Sequence, residues 1–494
     1  MNDAYQQLCQ RFRRLSRFEH LSAIAGWDMQ TMMPPGGSSA RGEALAELSL
    51  LRHELLTDKQ VGEWLKAAEQ QELTETERAS LNEMSRQWQQ ASVLPASLVE
   101  AKAIAGSRCE HAWRTQRPAN DWQGFSANLR EVVKLTRQEA DIRASANGTS
   151  RYDALLDLYE PGMTSTKLDT IFTDLKQWLP SLLQQVVTKQ SHNLPLPPTG
   201  TFPVAAQKKL GLETMALLGF DFDHGRLDVS AHPFCGGVPQ DVRITTRYHD
   251  TLFLSALMGV IHETGHARYE QNLPASLAGL PAGLARSTAV HESQSLMLEM
   301  QLARSTQFLQ LIHPRVVDAF GAQPALEMDN FIRLAQQVKP GLIRVEADEV
   351  SYPAHVMLRY EIERALTEGD IEVADIPALW DEKMQHYLGL DTRGDYQNGC
   401  MQDIHWTDGA FGYFPTYTLG AMYAAQLFAA FRQQHPSVTD EISRGELTPL
   451  FSWLKQNIWQ HGSLLSVEQL LTNATGEPLN SQFFRQHLEQ RYLA

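Results

Sequence analysis

Residues 252–271 read LFLSALMGVIHETGHARYEQ, and the architecture turns on this stretch. Leu252, Phe253, Leu254, Met258, Val260 and Ile261 follow helical periodicity and lead without a break into the polar pentad His262-Glu263-Thr264-Gly265-His266. On a helix, residues four apart share a face, so both imidazoles can reach one point in space. Glu263 is one position along, where its carboxylate addresses whatever is held at that point rather than the point itself. The competing structural account is a core helix with two incidental histidines. With 17 histidines in 494 residues, chance supplies such a pentad only roughly a few hundredths of a time.

Two imidazoles on one face are two ligands of a metal site, and a third is required. Zinc held by three protein ligands keeps an open position and brings the pKa of its water toward neutrality, where a neighbouring carboxylate such as Glu263 can act as base. After the Pro/Gly/Ala-rich connection 273–286, a second helix begins at Ser287-Thr288 and carries His291-Glu292-Ser293-Gln294-Ser295. Glu292 is the expected third ligand. His291 competes with it, because neighbouring helical residues point about a quarter-turn apart and only one can face the ion. Glu299, about two turns on, is expected to back the site or face solvent. Zn²⁺ is the expected ion, with Co²⁺ able to substitute, since this donor set suits several divalent cations.

Most of the chain around these two helices also carries helical periodicity, including 40–56, 74–92, 96–117, 122–146, 167–189, 288–304, 328–338, 351–367, 418–434 and 466–472. Residues 225–248 differ. Leu227, Val229, Val242 and Ile244 alternate around Cys235-Gly236-Gly237-Val238-Pro239, which predicts two short strands or a small sheet whose glycines let another backbone approach. Leu194-Pro195-Leu196-Pro197-Pro198 reads as a linker, but composition does not change after it. The expectation is one mainly helical domain over 1–494, with helices before about residue 70 as a lid.

Forty-three basic against 58 acidic residues leave a formal charge of −15, which disfavours a nucleic-acid binder. The longest apolar run, 418–431, is too short to span a bilayer and contains Gln426. Cys9, Cys109, Cys235 and Cys400 have no paired spacing, and the N-terminal stretch through Arg11-Phe12-Arg13-Arg14 has no apolar signal core. A cytoplasmic protein is expected, with no membrane partner.

Further blocks accompany the pentad: Trp27-Asp28-Met29-Gln30 with Met32-Met33-Pro34, His232-Pro233-Phe234, Asp241-Val242-Arg243-Ile244-Thr245 and His291-Glu292-Ser293-Gln294. Ile343-Arg344-Val345-Glu346-Ala347-Asp348, Gln402-Asp403-Ile404-His405-Trp406 and Gly412-Tyr413-Phe414-Pro415-Thr416-Tyr417 continue the series. In this order and spacing the sequence resembles the carboxypeptidase Taq family of metallocarboxypeptidases. The resemblance implies a large, deep-grooved helical peptidase fold related to angiotensin-converting enzyme and the oligopeptidases, with a small sheet near the site. It implies removal of single C-terminal amino acids from peptides with a free C-terminus, by a homodimer.

Within that resemblance Arg344 is the candidate for the substrate carboxylate, since a guanidinium fork binds both oxygens. The alternative for Arg344 is a helix-surface pair with Asp348. His405 and Tyr417 resemble oxyanion donors of the related peptidases, with Tyr413 a rival for the tyrosine role. Aromatic packing is the structural alternative for both tyrosines. His232 resembles a peptide-binding histidine beside an edge strand. Arg243 with Asp241 reads as a structural pair, and Trp27 and Asp28 as helix-packing or lid residues. An endo-oligopeptidase or a dipeptidyl carboxypeptidase on the same site is the alternative activity.

Overall fold

Tyr5, Leu8 and Phe12 recur at helical spacing and form the buried stripe of the first helix, Ala4–Thr31. Asp3 caps that helix, its carboxylate accepting from the Tyr5 N–H at 3.0 Å. The stripe packs with Val61, Leu65, Leu81, Met84, Leu277 and Leu280 into one core cluster. Each of these large side chains contributes about 1.5–3 kcal/mol by leaving water.

The computed structural model describes residues 3–494, and it is mainly helical with one small sheet. Its helices fall into two compact units. One comprises the chain up to Ser92, Pro195–Gln336 and Tyr423–Asn480; the other comprises Val93–Leu194, Gln337–Met422 and Ser481–Ala494. The proline-rich segment read as a linker is where the chain passes between them. Just past that point Leu196 is held, donating its N–H to Asn330 Oδ1 at 2.8 Å.

In the first unit the sheet has three strands, β1 (Gly225–Val229), β2 (Cys235–Val238) and β3 (Asp241–Thr246), in the order β1-β3-β2. β1 runs parallel to β3 with Leu227 opposite Ile244, and β2 runs antiparallel with Gly236 opposite Arg243. Leu227, Val242 and Ile244 bury against Val260 and Ala267 of the helix Phe253–Glu270. The expected alternation breaks at Val229, which is half exposed, while Asp228 is buried and binds Arg226 at 2.7 Å. Gly237, in β2 just before the tight turn into β3, has φ +89°, and a Cβ there would lie 2.0 Å from the Asp241 carbonyl oxygen. The backbone those glycines admit is the chain's own.

Trp27 is buried beneath Arg243 and Arg226, whose guanidinium carbons lie 4.3 and 5.2 Å from its ring centre. Asp241 pairs with Arg243 at 2.8 Å, and Asp28 pairs with Arg41 at 2.7 Å. Trp27 and Asp28 therefore hold the first helix against the sheet and the second helix, while Asp241 steadies Arg243 within β3. Gln426, which interrupts the apolar run, is fully buried and donates to Thr475 Oγ1 and the Pro478 carbonyl. Its side-chain oxygen accepts from the Asn480 N–H at 2.9 Å. Among the described residues, no helix is long and apolar enough to cross a membrane.

The second unit is stitched by aromatic and charged contacts. Tyr360 meets Tyr152 and Phe172 edge-on at 5.5 and 5.1 Å. Its closing helix, Gln482–Tyr492, is fastened through buried Glu349, which binds His487, Arg491 (3.0 Å) and the Tyr492 hydroxyl (2.8 Å).

Candidate metal centre

The helix Phe253–Glu270 carries His262 and His266 one turn apart, and the helix Thr288–Leu296 lies across it. Two local features bring the second helix into place. Ser287 caps it, accepting from the Val290 N–H at 3.1 Å. Gly265, between the two histidines, lets the backbones touch: a Cβ there would sit 2.4 Å from the Gln294 carbonyl oxygen and 2.5 Å from Ser295 Cα.

That approach delivers Glu292 to the histidine pair. Its Oε2 lies 3.8 Å from His262 Nε2 and 3.4 Å from His266 Nε2. One ligand atom from each of His262, His266 and Glu292 lies within 4.8 Å of the others. His291, the rival, turns its ring away. Its Nδ1 is 2.6 Å from His266 Nδ1, and its Nε2 is 2.8 Å from Glu270 Oε1.

Glu299 does not face solvent. Its Oε2 lies 3.0 Å from His262 Nδ1 and its Oε1 lies 2.9 Å from Arg304. The expected continuous helix 288–304 is interrupted here, because Met297–Ala303 forms a π-helical turn. The wider turn carries Glu299 to the back of His262.

The electrostatics favour a cation. Burial alone would lower the His262 imidazole, but Glu292, Glu299 and Glu263 together push it up to about 10. Burial lowers His266 to about 4, leaving a neutral nitrogen to coordinate. Burial opposes ionisation of Glu292, yet the two histidines outweigh it and hold the carboxyl at about 2. Glu263 is 6% exposed, and burial pushes it up to about 7. Its Oε2 has no hydrogen-bond partner among the described residues. Two imidazoles, an ionised carboxylate, surplus negative charge and an orphaned buried oxygen fit a divalent ion with an open position.

A second cluster lies within the other unit. Arg344 is 5% exposed and sits in a short turn, Arg344–Glu346. It ignores Asp348, which instead accepts from the Val350 and Ser351 N–H groups. Its Nε donates to Asp403 Oδ1 at 2.9 Å and its Nη1 to the Tyr352 hydroxyl at 2.6 Å. Fully buried Arg359 donates Nε to the other Asp403 oxygen at 2.7 Å. Although burial opposes it, Arg359 and Arg344 hold Asp403 well below the usual carboxylate range.

His405 Nε2 lies 3.2 Å from the Tyr417 hydroxyl, and Tyr413 packs 5.2 Å from the His405 ring and 5.4 Å from the Tyr417 ring. Burial, then the charge of Arg344, lowers His405 to about 4, so its imidazole is neutral at neutral pH. Buried Glu363 underlies this cluster, accepting from Trp406 Nε1 and the Gly412 N–H, each at 3.2 Å.

Arg344, His405, Tyr413 and Tyr417 are thus brought together in one unit, and His262, Glu263, His266 and Glu292 in the other. His232 lies with the latter unit on the exposed β1–β2 loop, its carbonyl accepting from Ser230 Oγ at 2.6 Å. Reading the sequence missed Arg359 and Glu363. The available signal for Arg359 was a charge inside the apolar run Val356-Met357-Leu358 and Tyr360.

A helical protein whose paired histidines and glutamate converge beside a buried carboxylate falls in the class of metallopeptidases. The family model for carboxypeptidase Taq (M32) metallopeptidases matches residues 7–492, and the chain belongs to that family. Thermostable carboxypeptidase 1 of Thermus thermophilus is 38% identical, with 99% of this chain and 98% of that relative covered. Carboxypeptidase 1 of Bacillus subtilis is 35% identical, covering 97% and 96%. The solved Trypanosoma cruzi metallocarboxypeptidase 1 superposes with a TM-score of 0.98 at 48% identity over 99% of each chain. The protein is a metal-dependent carboxypeptidase, a hydrolase acting on peptides.

Proposed function

We propose that this enzyme removes single C-terminal amino acids from short peptides using Zn²⁺, replaceable by Co²⁺, held by His262, His266 and Glu292. The observation that carries this reading is the convergence of both Nε2 atoms on Glu292 Oε2 beside the unpartnered Glu263 carboxylate. When bound, the ion supplies Lewis acidity at the scissile carbonyl and lowers the pKa of a water.

Glu263 is the base: its Oε2 takes the proton from the attacking water and passes it to the leaving amine. A carboxyl raised to about 7 is matched to both halves of that transfer. The Tyr417 hydroxyl and the neutral His405 imidazole donate to the oxyanion, and Tyr413 keeps their rings in place. Arg344 takes the terminal carboxylate. Two guanidiniums on the single Asp403 leave one positive charge in excess, which suits that task. His232 and the edge strand β2 engage the substrate backbone.

The remaining assignments are a homodimer in the cytoplasm, with the helices before about residue 70 shielding the metal centre. No side chain of the helix Ser38–Thr57 is fully buried, and Leu56 near its end packs against the N-terminal core cluster, which leaves most of the helix available as a cover. All four cysteines are free, and Cys9, Cys109 and Cys400 are buried, as suits a reducing compartment.

Mass spectrometry of a mixed peptide pool, with and without chelator and added Zn²⁺ or Co²⁺, tests the activity. Stepwise loss of single C-terminal residues, abolished by chelator and by Glu263→Gln, is the expected result. Dipeptide release or internal cuts would overturn the single-residue specificity.

A further inference from the structure

We propose that His291 and Glu270 form a hydrogen-bonded relay that fixes the tautomer and ring orientation of His266, and thereby sets how tightly the protein holds its ion. The proposal rests on the ligand reading above and concerns residues that reading leaves without a task.

Glu270 Oε1 lies 2.8 Å from His291 Nε2. An ionised carboxylate can only accept, so when His291 is a neutral imidazole its proton sits on Nε2 and its Nδ1 is bare. That bare Nδ1 faces His266 Nδ1 at 2.6 Å. Two bare nitrogens would repel at that distance, so His266 carries its proton on Nδ1. The lone pair of His266 is then on Nε2, the atom that faces Glu292. The direction of every bond follows from the one group whose role is fixed, the carboxylate at the outer end.

The two histidines are supported differently. His262 Nδ1 meets a carboxylate directly, that of Glu299, which Arg304 also holds. His266 reaches its carboxylate only through a second imidazole. Both His291 and Glu270 are about one-quarter exposed, so the outer end of the relay touches solvent. Glu270 also completes a spacing on one helix face, His262, His266 and Glu270 at successive intervals of four. His291 sits beside Glu292, so one short helix supplies both the third ligand and the support of the second. Such supporting partners are worth about 10–100-fold in metal affinity.

The test is a competition titration of the metal-free full-length protein with Zn²⁺ against a chromogenic chelator. His291→Ala is expected to weaken Zn²⁺ binding by about 10–100-fold. His291→Asn, which keeps an acceptor oxygen in the place of Nδ1, is expected to recover most of that loss. Glu270→Ala, at a partly exposed position where folding is not at risk, is expected to weaken binding several-fold, and Glu270→Gln less. Unchanged affinity in both alanine variants overturns the relay. So does a loss in His291→Ala that His291→Asn does not restore, because packing alone would then account for it. Glu292→Ala separates the two levels: if it too leaves Zn²⁺ affinity unchanged, the ligand reading itself fails.

Discussion

Glu263 and Arg344 make opposite demands on a substitution. Glu263→Gln keeps volume and removes only the ability to take a proton. Turnover is expected to fall by about 10²–10⁴-fold while Zn²⁺ stays bound at one per chain, measured by steady-state kinetics beside metal analysis. Arg344→Lys keeps the charge and loses the fork. KM for peptides with a free C-terminus is expected to rise roughly tenfold, the loss of one charge-assisted hydrogen bond at about 1.5 kcal/mol. Peptides ending in an amide should respond far less, and an equal response would remove Arg344 from carboxylate recognition. At this scale the histidine pair was legible because four-residue spacing is local information. The choice between His291 and Glu292 was open in the sequence because it depends on helix phase, and the helices that touch at Gly265 turn Glu292 toward both Nε2 atoms. Asp403, the partner of Arg344, is 59 residues away, and no local pattern links them.

Elements position these residues, and two of them give sharp tests. Gly265→Ala would put a methyl group into the backbone of the crossing helix. Overpacking of this kind costs about 1–3 kcal/mol. Here it also moves Glu292 off the histidines, so Zn²⁺ affinity should drop together with Tm, read by calorimetry on the metal-free and loaded protein.

The helix Gln482–Tyr492 depends on Glu349, which burial would raise but which His487 and Arg491 hold at about 2. A depressed carboxyl contributes stability that is present above its unfolded value near 4.5 and is lost as pH falls toward 2. That contribution is about 3 kcal/mol, so Glu349→Gln should lower denaturant stability at pH 7 and flatten its decline between pH 4.5 and 2. Element types were largely readable from periodicity. The π-helical turn at 297–303 was not, because its apolar pattern is also compatible with an α-helix. The exposure of Val229 was hidden for a related reason: Arg226 neutralises Asp228 and lets a charged residue take the inward position.

For the whole molecule, the ion is a ligand of the folded state, so chelation should lower Tm and Zn²⁺ should restore it. At about 100 times its Kd the ion adds about 2.7 kcal/mol. Equal melting curves with and without chelator would mean that no ion binds the native protein. Composition and periodicity foretold a helical body, whereas the boundaries of its two units were invisible, since both are assembled from separated stretches. That interleaving has a consequence for synthesis. The metal-site helix ends at Glu270, yet its unit closes only with Tyr423–Asn480, and the other unit needs Ser481–Ala494. A ribosome adding about 5–20 residues per second therefore exposes an unfinished metal site for about 10–40 seconds. A chain cut short before Asn480 leaves neither unit whole, so both halves of the molecule are completed only as the last segments emerge.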